Sequence, residues 1–172
     1  MTARDLKYLL VWLLPLFACC GLYMGSWYSP GSFYLAFILV PILDALFPMY
    51  EDNFTEPTKK IRADNAFFDV LLLLNLPVLF ALLFYFIYTI SKVPHSAPEQ
   101  IFLCLNMGIA LGVLGINVAH ELGHRQSLFA KIIAQLLLLP CLYMHFTKEH
   151  NYWHHKYVAS AKDPSSAKLN EP

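Results

Sequence analysis

From Tyr8 to Leu43 the chain reads YLLVWLLPLFACCGLYMGSWYSPGSFYLAFILVPIL, without one charged side chain. One crossing of ~30 Å of hydrocarbon takes ~20 helical residues, so this run is too long for a single span. GSWYSPGS (Gly25–Ser32) interrupts it, and its glycines, serines and proline make a turn. The reading is a helical hairpin embedded in lipid. A second apolar segment follows at once and no small-residue cleavage site intervenes, so the first helix is an anchor rather than a signal peptide.

The rest of the chain agrees. Of 172 residues, 58% are hydrophobic and 14% charged, and mean hydropathy is +0.49. Twelve basic residues balance twelve acidic ones, which leaves no positive field for nucleic acid. Cys19, Cys20, Cys104 and Cys141 lie in apolar runs with no CxxC pairing and read as small apolar fillers. The expected fold is all-α: a polytopic membrane helix bundle with spans at about 6–24, 32–50, 67–91 and 101–120. Asn75 before Leu76-Pro77 predicts a kink in the third span, with the asparagine bonding a freed carbonyl.

Basic residues set the orientation. Arg4 and Lys7 precede the first span, Lys59, Lys60 and Arg62 follow the second, and only Lys92 lies between the third and fourth. The N-terminus and the loop 51–66 are therefore expected on the cytoplasmic side. The Asn53-Phe-Thr55 sequon in that loop is then a chance match.

SLFAKIIAQLLLLPCLYMHF (127–146) is long enough to cross. If it crosses, basic residues divide seven inside to five outside; if it turns back, eleven to one. The second division fits the positive-inside rule, and Lys131, Gln135 and Pro140 suit a dipping segment. The expectation is a re-entrant or interfacial helix at 127–146, then a cytoplasmic histidine-rich tail at 147–172.

Five of seven histidines fall in two groups, HELGH (120–124) and HNYWHH (150–155). His120 and His124 are one helical turn apart and face the same way. Asn106 and Asn117 fall on the same stripe in an ideal helix, where they either extend it or bond between helices. Gly108, Gly112, Gly115 and Ala119 form an opposite face for close helix contact. Ideal α-geometry also pairs His150 with His154 on one face and turns His155 about 100° away. Neutral imidazoles in such number bind iron, zinc, copper or nickel. Glu121, Glu149 and Asp163 are near enough to bind metal or to orient its ligands, or they are solvated charges at the membrane edge. Asp44 reads as structural or as support for a ligand. His95 reads as a loop residue.

These motifs resemble the membrane-bound di-iron superfamily of fatty acid desaturases and hydroxylases. NVAHELGHR (Asn117–Arg125), EHNYWHH (Glu149–His155), KYVASAKDPSSAK (Lys156–Lys168) and PILDALFP around Asp44 are similar to the alkane 1-monooxygenases within it. The resemblance implies metal ligands at His120, His124, His150, His154 and His155, with Glu121, Glu149, Asn117, His145, Asp163 and Asp44 as candidates to support them. It implies two non-haem irons, O₂ as co-substrate, and hydroxylation of an alkane at its terminal carbon. Electrons would come from rubredoxin and its NAD(P)H-dependent reductase, and the location would be a bacterial inner membrane with the histidine boxes cytoplasmic.

That family also carries a third, HxxHH box, which these residues lack. The chain is therefore expected to be an N-terminal part of a longer protein, binding iron poorly and turning over little by itself. Three other readings stand beside this one. A desaturase or aryl-methyl hydroxylase would share the ligands. HELGH also satisfies HExxH of zinc metalloproteases, with Glu121 activating water. A histidine-lined transporter or structural subunit would place histidines mid-span.

Overall fold

A computed structural model describes residues 3–47, 65–163 and 165–167. Among these residues every regular element is helical. The loop expected at 51–66, with its sequon and basic cluster, lies outside them except for Asn65 and Ala66. The chain divides into two compact units, Met1–Gly112 and Val113–Pro172.

The first unit holds α1 (Lys7–Met24), α2 (Gly31–Leu46), α3 (Ala66–Lys92) and the start of α4 (Ala97–Gly123). Helices α1, α3 and α4 are long and apolar enough to cross a membrane. Four spans were expected. As far as it is described, α2 is shorter than a span, and the residues that would carry it to 50 lie outside the described set. In lipid the backbone must satisfy itself, which favours helices throughout. Leu16, Tyr23, Ile87, Phe84 and Phe102 are exposed, as side chains facing acyl chains would be.

Local chemistry starts α3 and α4. Asn65 caps α3, its Oδ1 accepting from Phe67 N at 3.0 Å, and Asp69 sits in the first turn where the helix dipole favours a negative charge. Pro77 lies inside α3, and Asn75 Nδ2 donates to the carbonyls of Leu71 (2.7 Å) and Leu72 (3.3 Å). Proline 77 cannot donate to Leu73, so the carbonyls Asn75 takes up are the two before the freed one. Ser96 caps α4, its Oγ accepting from Glu99 N. The Glu99 carboxylate accepts from Ser26 N at 2.7 Å, fastening the α1–α2 turn to the start of α4.

Asn106 is fully buried and joins three helices. Its Oδ1 accepts from Ser32 N at 2.7 Å and its Nδ2 donates to Ala18 O at 3.0 Å. Gly21 and Gly31 make this approach possible. A Cβ on Gly21 would lie 2.8 Å from Asn106 Nδ2, and one on Gly31 would collide with the Phe17 carbonyl. On the predicted small-residue face of α4, Gly108 and Gly112 look onto open space among the described residues, whereas Gly115 and Ala119 are buried. His95 is no simple loop residue. Its side chain is 6% exposed, with Nδ1 3.3 Å from Glu99 and Nε2 3.3 Å from Thr89 O.

The second unit begins in a π-helical stretch of α4, Leu111–Asn117, and continues through the α-helical Val118–Gly123. Helix α5 (Leu128–Leu138) packs back against it through Ala119, Leu122, Ala130, Ala134, Leu137 and Leu138, all buried. At 11 residues α5 is about 16 Å long, roughly half a hydrocarbon core. The chain turns around Pro140 and enters α6 (146–157), built of Phe146–Lys148, a π-helical Glu149–His154 and His155–Tyr157.

Candidate metal centre

Three contacts bring the two histidine boxes together. Asn151 Nδ2 donates to Gly123 O at 3.0 Å, so α6 is tied to the end of α4. Gly123 has no side chain, and that leaves room for Thr147: a Cβ there would meet Thr147 Cγ2 at 2.9 Å. Gln135 of α5 donates to Thr147 Oγ1 from the other side. The glycine of HELGH and the asparagine of HNYWHH are thus the fitting parts of the two motifs.

Box one behaves as its spacing predicts, with His120 and His124 rings edge to face at 4.7 Å. Box two does so only in part. His155 N bonds to His150 O, an i→i+5 link, because this part of α6 is π-helical. The wider turn puts residues five apart on one face. His150 and His155 therefore converge in the cluster, while the His154 ring still stacks on His150 at 5.2 Å, so the expected i, i+4 neighbour is kept and the fifth residue joins it.

The nitrogens of His120, His124, His150 and His155 that face one another lie within 4.8 Å as a group. His120 Nε2 is 2.7 Å from His150 Nε2 and 3.0 Å from His124 Nε2, and His155 Nε2 is 3.0 Å from His150 Nε2. Hydrogen bonding cannot account for this. Each Nε2 carries either one proton or one lone pair and makes one good bond, yet His120 and His150 each meet two neighbours. Four imidazole nitrogens gathered this closely are a group that could hold a metal ion. At about 2.1 Å from an ion, imidazole nitrogens at right angles would stand ~3.0 Å apart, close to the spacing here.

The surroundings favour neutral rings. Burial, then the neighbouring imidazoles of His120, His155, His124 and His154, push His150 down to about 4. Phe146 stacks on His150 at 5.0 Å and lies edge-on to His120 at 6.0 Å, an apolar cover one turn before the ligand that the motif reading missed. A cavity of about 500 Å³ adjoins His124 and His155 and is lined by Arg125, Lys131 and Lys148.

The other candidates separate. His154 Nδ1 faces both oxygens of Asp163, at 3.0 and 2.9 Å, and its ring stacks on His150 at 5.2 Å. Glu121 is exposed and outside the four-nitrogen group. Glu149 is also exposed, 3.9 Å from His145. His145 itself packs against Tyr143. Asn117 is exposed at the end of the π stretch. Asp44 is exposed on α2, in the first unit.

Residues 97–172 match the fatty acid desaturase family. Over these residues the chain is similar to that family. Its similarity within it runs to the alkane 1-monooxygenases. It is 32% identical over 154 residues to alkane 1-monooxygenase 1 of Alcanivorax borkumensis, covering 88% of this chain and 35% of that protein. It is 32% identical over 177 residues to alkane 1-monooxygenase of Ectopseudomonas oleovorans, covering 96% and 43%. Against the Pseudomonas putida enzyme it is 31% identical, covering 88% and 35%. The chain thus spans about two fifths of these relatives' length or less.

Proposed function

We propose that this chain forms part of an integral-membrane non-haem di-iron monooxygenase that hydroxylates the terminal carbon of alkanes. The observation that carries the reading is the convergence of four imidazole nitrogens from HELGH and HNYWHH beside apolar helices. His120, His124, His150 and His155 would hold one iron, and His154 would contribute to a second. Iron held there supplies activation of O₂, one atom entering a C–H bond and the other becoming water. The protein's part is to fix the imidazoles through the Asn151–Gly123 bond, to keep His150 unprotonated, and to shield it with Phe146.

A zinc protease fits the site less well. Four imidazoles close a tetrahedral zinc and leave no position for water, whereas a six-coordinate iron keeps two. Glu121 is exposed and outside the donor group, a poor place for a general base. A desaturase or aryl-methyl hydroxylase would share these ligands; the named relatives favour the alkane.

By the basic-residue balance, the N-terminus and both boxes face the cytoplasm of a bacterial inner membrane, with α5 re-entrant or interfacial. Rubredoxin and its NAD(P)H-dependent reductase would deliver electrons there, and the cationic cavity beside His124 and His155 suits an acidic donor. With one donor for a second ion among these residues, the chain alone is expected to turn over little. The test is metal identity in chain purified from cells, with Glu121→Gln beside it. Iron retained equally by both supports the oxygenase. Zinc, with a peptidase activity that Glu121→Gln abolishes, overturns it.

A further inference from the structure

Of the five histidines in the two boxes, His154 alone has a carboxylate within ion-pair distance among the described residues. That carboxylate, Asp163, is built into its place. Its side chain is 0% exposed. Oδ1 accepts from Ser165 N at 2.9 Å and Oδ2 from Ser166 Oγ at 2.6 Å, while His154 Nδ1 lies 2.9–3.0 Å from both oxygens. Three donors, Ser165 N, Ser166 Oγ and His154 Nδ1, converge on this carboxyl group, and hydrogen bonds of that number favour its ionised form. A carboxylate ionised at neutral pH only accepts, so the proton between it and His154 sits on Nδ1. Nε2 is then left with its lone pair. A carboxylate behind one ring nitrogen is the arrangement that orients histidine ligands and raises their basicity. His154 is also stacked on His150, yet lies outside the group of four.

We propose that Asp163 is a positioning residue that locks His154 in the Nδ1–H tautomer, so that His154 Nε2 serves as donor to a second metal ion beside the four-imidazole cluster. This rests on the metal reading above and adds an asymmetry to it: one ion held by ring convergence, the other begun by a carboxylate-oriented histidine.

Two measurements on the full chain in detergent test it. Long-range ¹H–¹⁵N correlation of the metal-free protein at pH 8 reports each ring's tautomer. His154 is expected as Nδ1–H, and in Asp163→Ala as a mixture of tautomers. Ser166→Ala, which leaves Asp163 in contact with His154, is expected to keep the wild-type signal. Cobalt(II) titration is expected to show a first equivalent of equal affinity in the wild type and in Asp163→Ala. An Nε2–H or doubly protonated His154 in the wild type overturns the proposal, as does an unchanged tautomer in Asp163→Ala. Loss of the first equivalent in Asp163→Ala reduces Asp163 to a folding role and overturns it too. A wild type that binds no cobalt at all contradicts the metal reading itself, and with it the donor half of this proposal.

Discussion

His120 and His150 are 30 residues apart in the chain, and their Nε2 atoms stand 2.7 Å apart. Each also meets a second imidazole, His124 for the first and His155 for the second. The two histidines are the inner members of a row of four, and hydrogen bonding can satisfy at most two of its three contacts. Removing an inner member should therefore do more damage than removing an outer one.

Alanine at His120 or His150 is expected to lower cobalt(II) or iron(II) affinity by more than about 100-fold, beyond what loss of a ligand's outer partner does. His154→Ala should leave the tightest equivalent in place, because His154 is outside the group of four. Isothermal titration of the three variants decides this. Equal loss in all three would show that the group is not a unit.

Gly123 and Asn151 fasten the boxes. Gly123→Ala drives a methyl group against Thr147 and is expected to cost about 1–3 kcal/mol as an overpacked contact. Asn151→Ala leaves the Gly123 carbonyl short of its donor, at about 1–3 kcal/mol if it is shut off from water. Both should weaken metal binding while every ligand is still present. Unfolding melts with and without metal would separate the effects. Unchanged affinity in both variants would mean that something else aligns the boxes.

How much of this was legible in the sequence differs between the two motifs. His120 of HELGH lies in the α-helical Val118–Gly123 and His124 caps it in helical conformation, so the geometry of the i, i+4 pair followed from spacing. HNYWHH lies in a π-helix, where the i→i+5 bond from His155 to His150 replaces the α pattern, and spacing alone finds His154 beside His150 but not that His155 joins it. Composition does not encode which backbone bond closes. The apolar helices were readable because lipid leaves the backbone no alternative. The Asn106 clamp was less so: a polar stripe computed at 100° per residue does not survive the π stretch Leu111–Asn117, and Asn106 is taken up by Ser32 and Ala18 instead.

Acid should act through His150. Its folded value of about 4 lies below the ordinary 6.5, so the unfolded chain binds the extra proton first. The contribution of neutral His150 is present above about 6.5 and is lost as pH falls from there toward 4. Asp163, held at about 2, keeps its charge across that window. Thermal melts of metal-free chain in detergent should therefore lose stability between pH 6.5 and 4, and His150→Gln should flatten the slope. A wild-type profile that is flat over this range would contradict the buried, neutral His150.

Gly21 and Gly31 let α1, α2 and Asn106 approach. Gly21→Ala and Gly31→Ala are each expected to cost about 1–3 kcal/mol. Gly108→Ala, beside open space, should cost nothing measurable or stabilise α4 slightly. Parallel melts of the three variants check this, and equal effects would remove the argument from close approach.

The proposed orientation has its own test in cysteine labelling. A cysteine replacing Lys162, in a background without the four native thiols, should react with impermeant maleimide only after the inner membrane is opened. Labelling in intact spheroplasts would place the histidine boxes on the outer side.

The most direct measurement is X-ray absorption at the iron edge on chain reconstituted with one equivalent of iron(II). Nearest neighbours at about 2.0–2.2 Å should be nitrogen, with the outer-ring scattering that only imidazole gives, fitting four histidines per iron and falling to three in His155→Ala. A spectrum of oxygen neighbours without imidazole scattering, unchanged by that substitution, would contradict the centre described here.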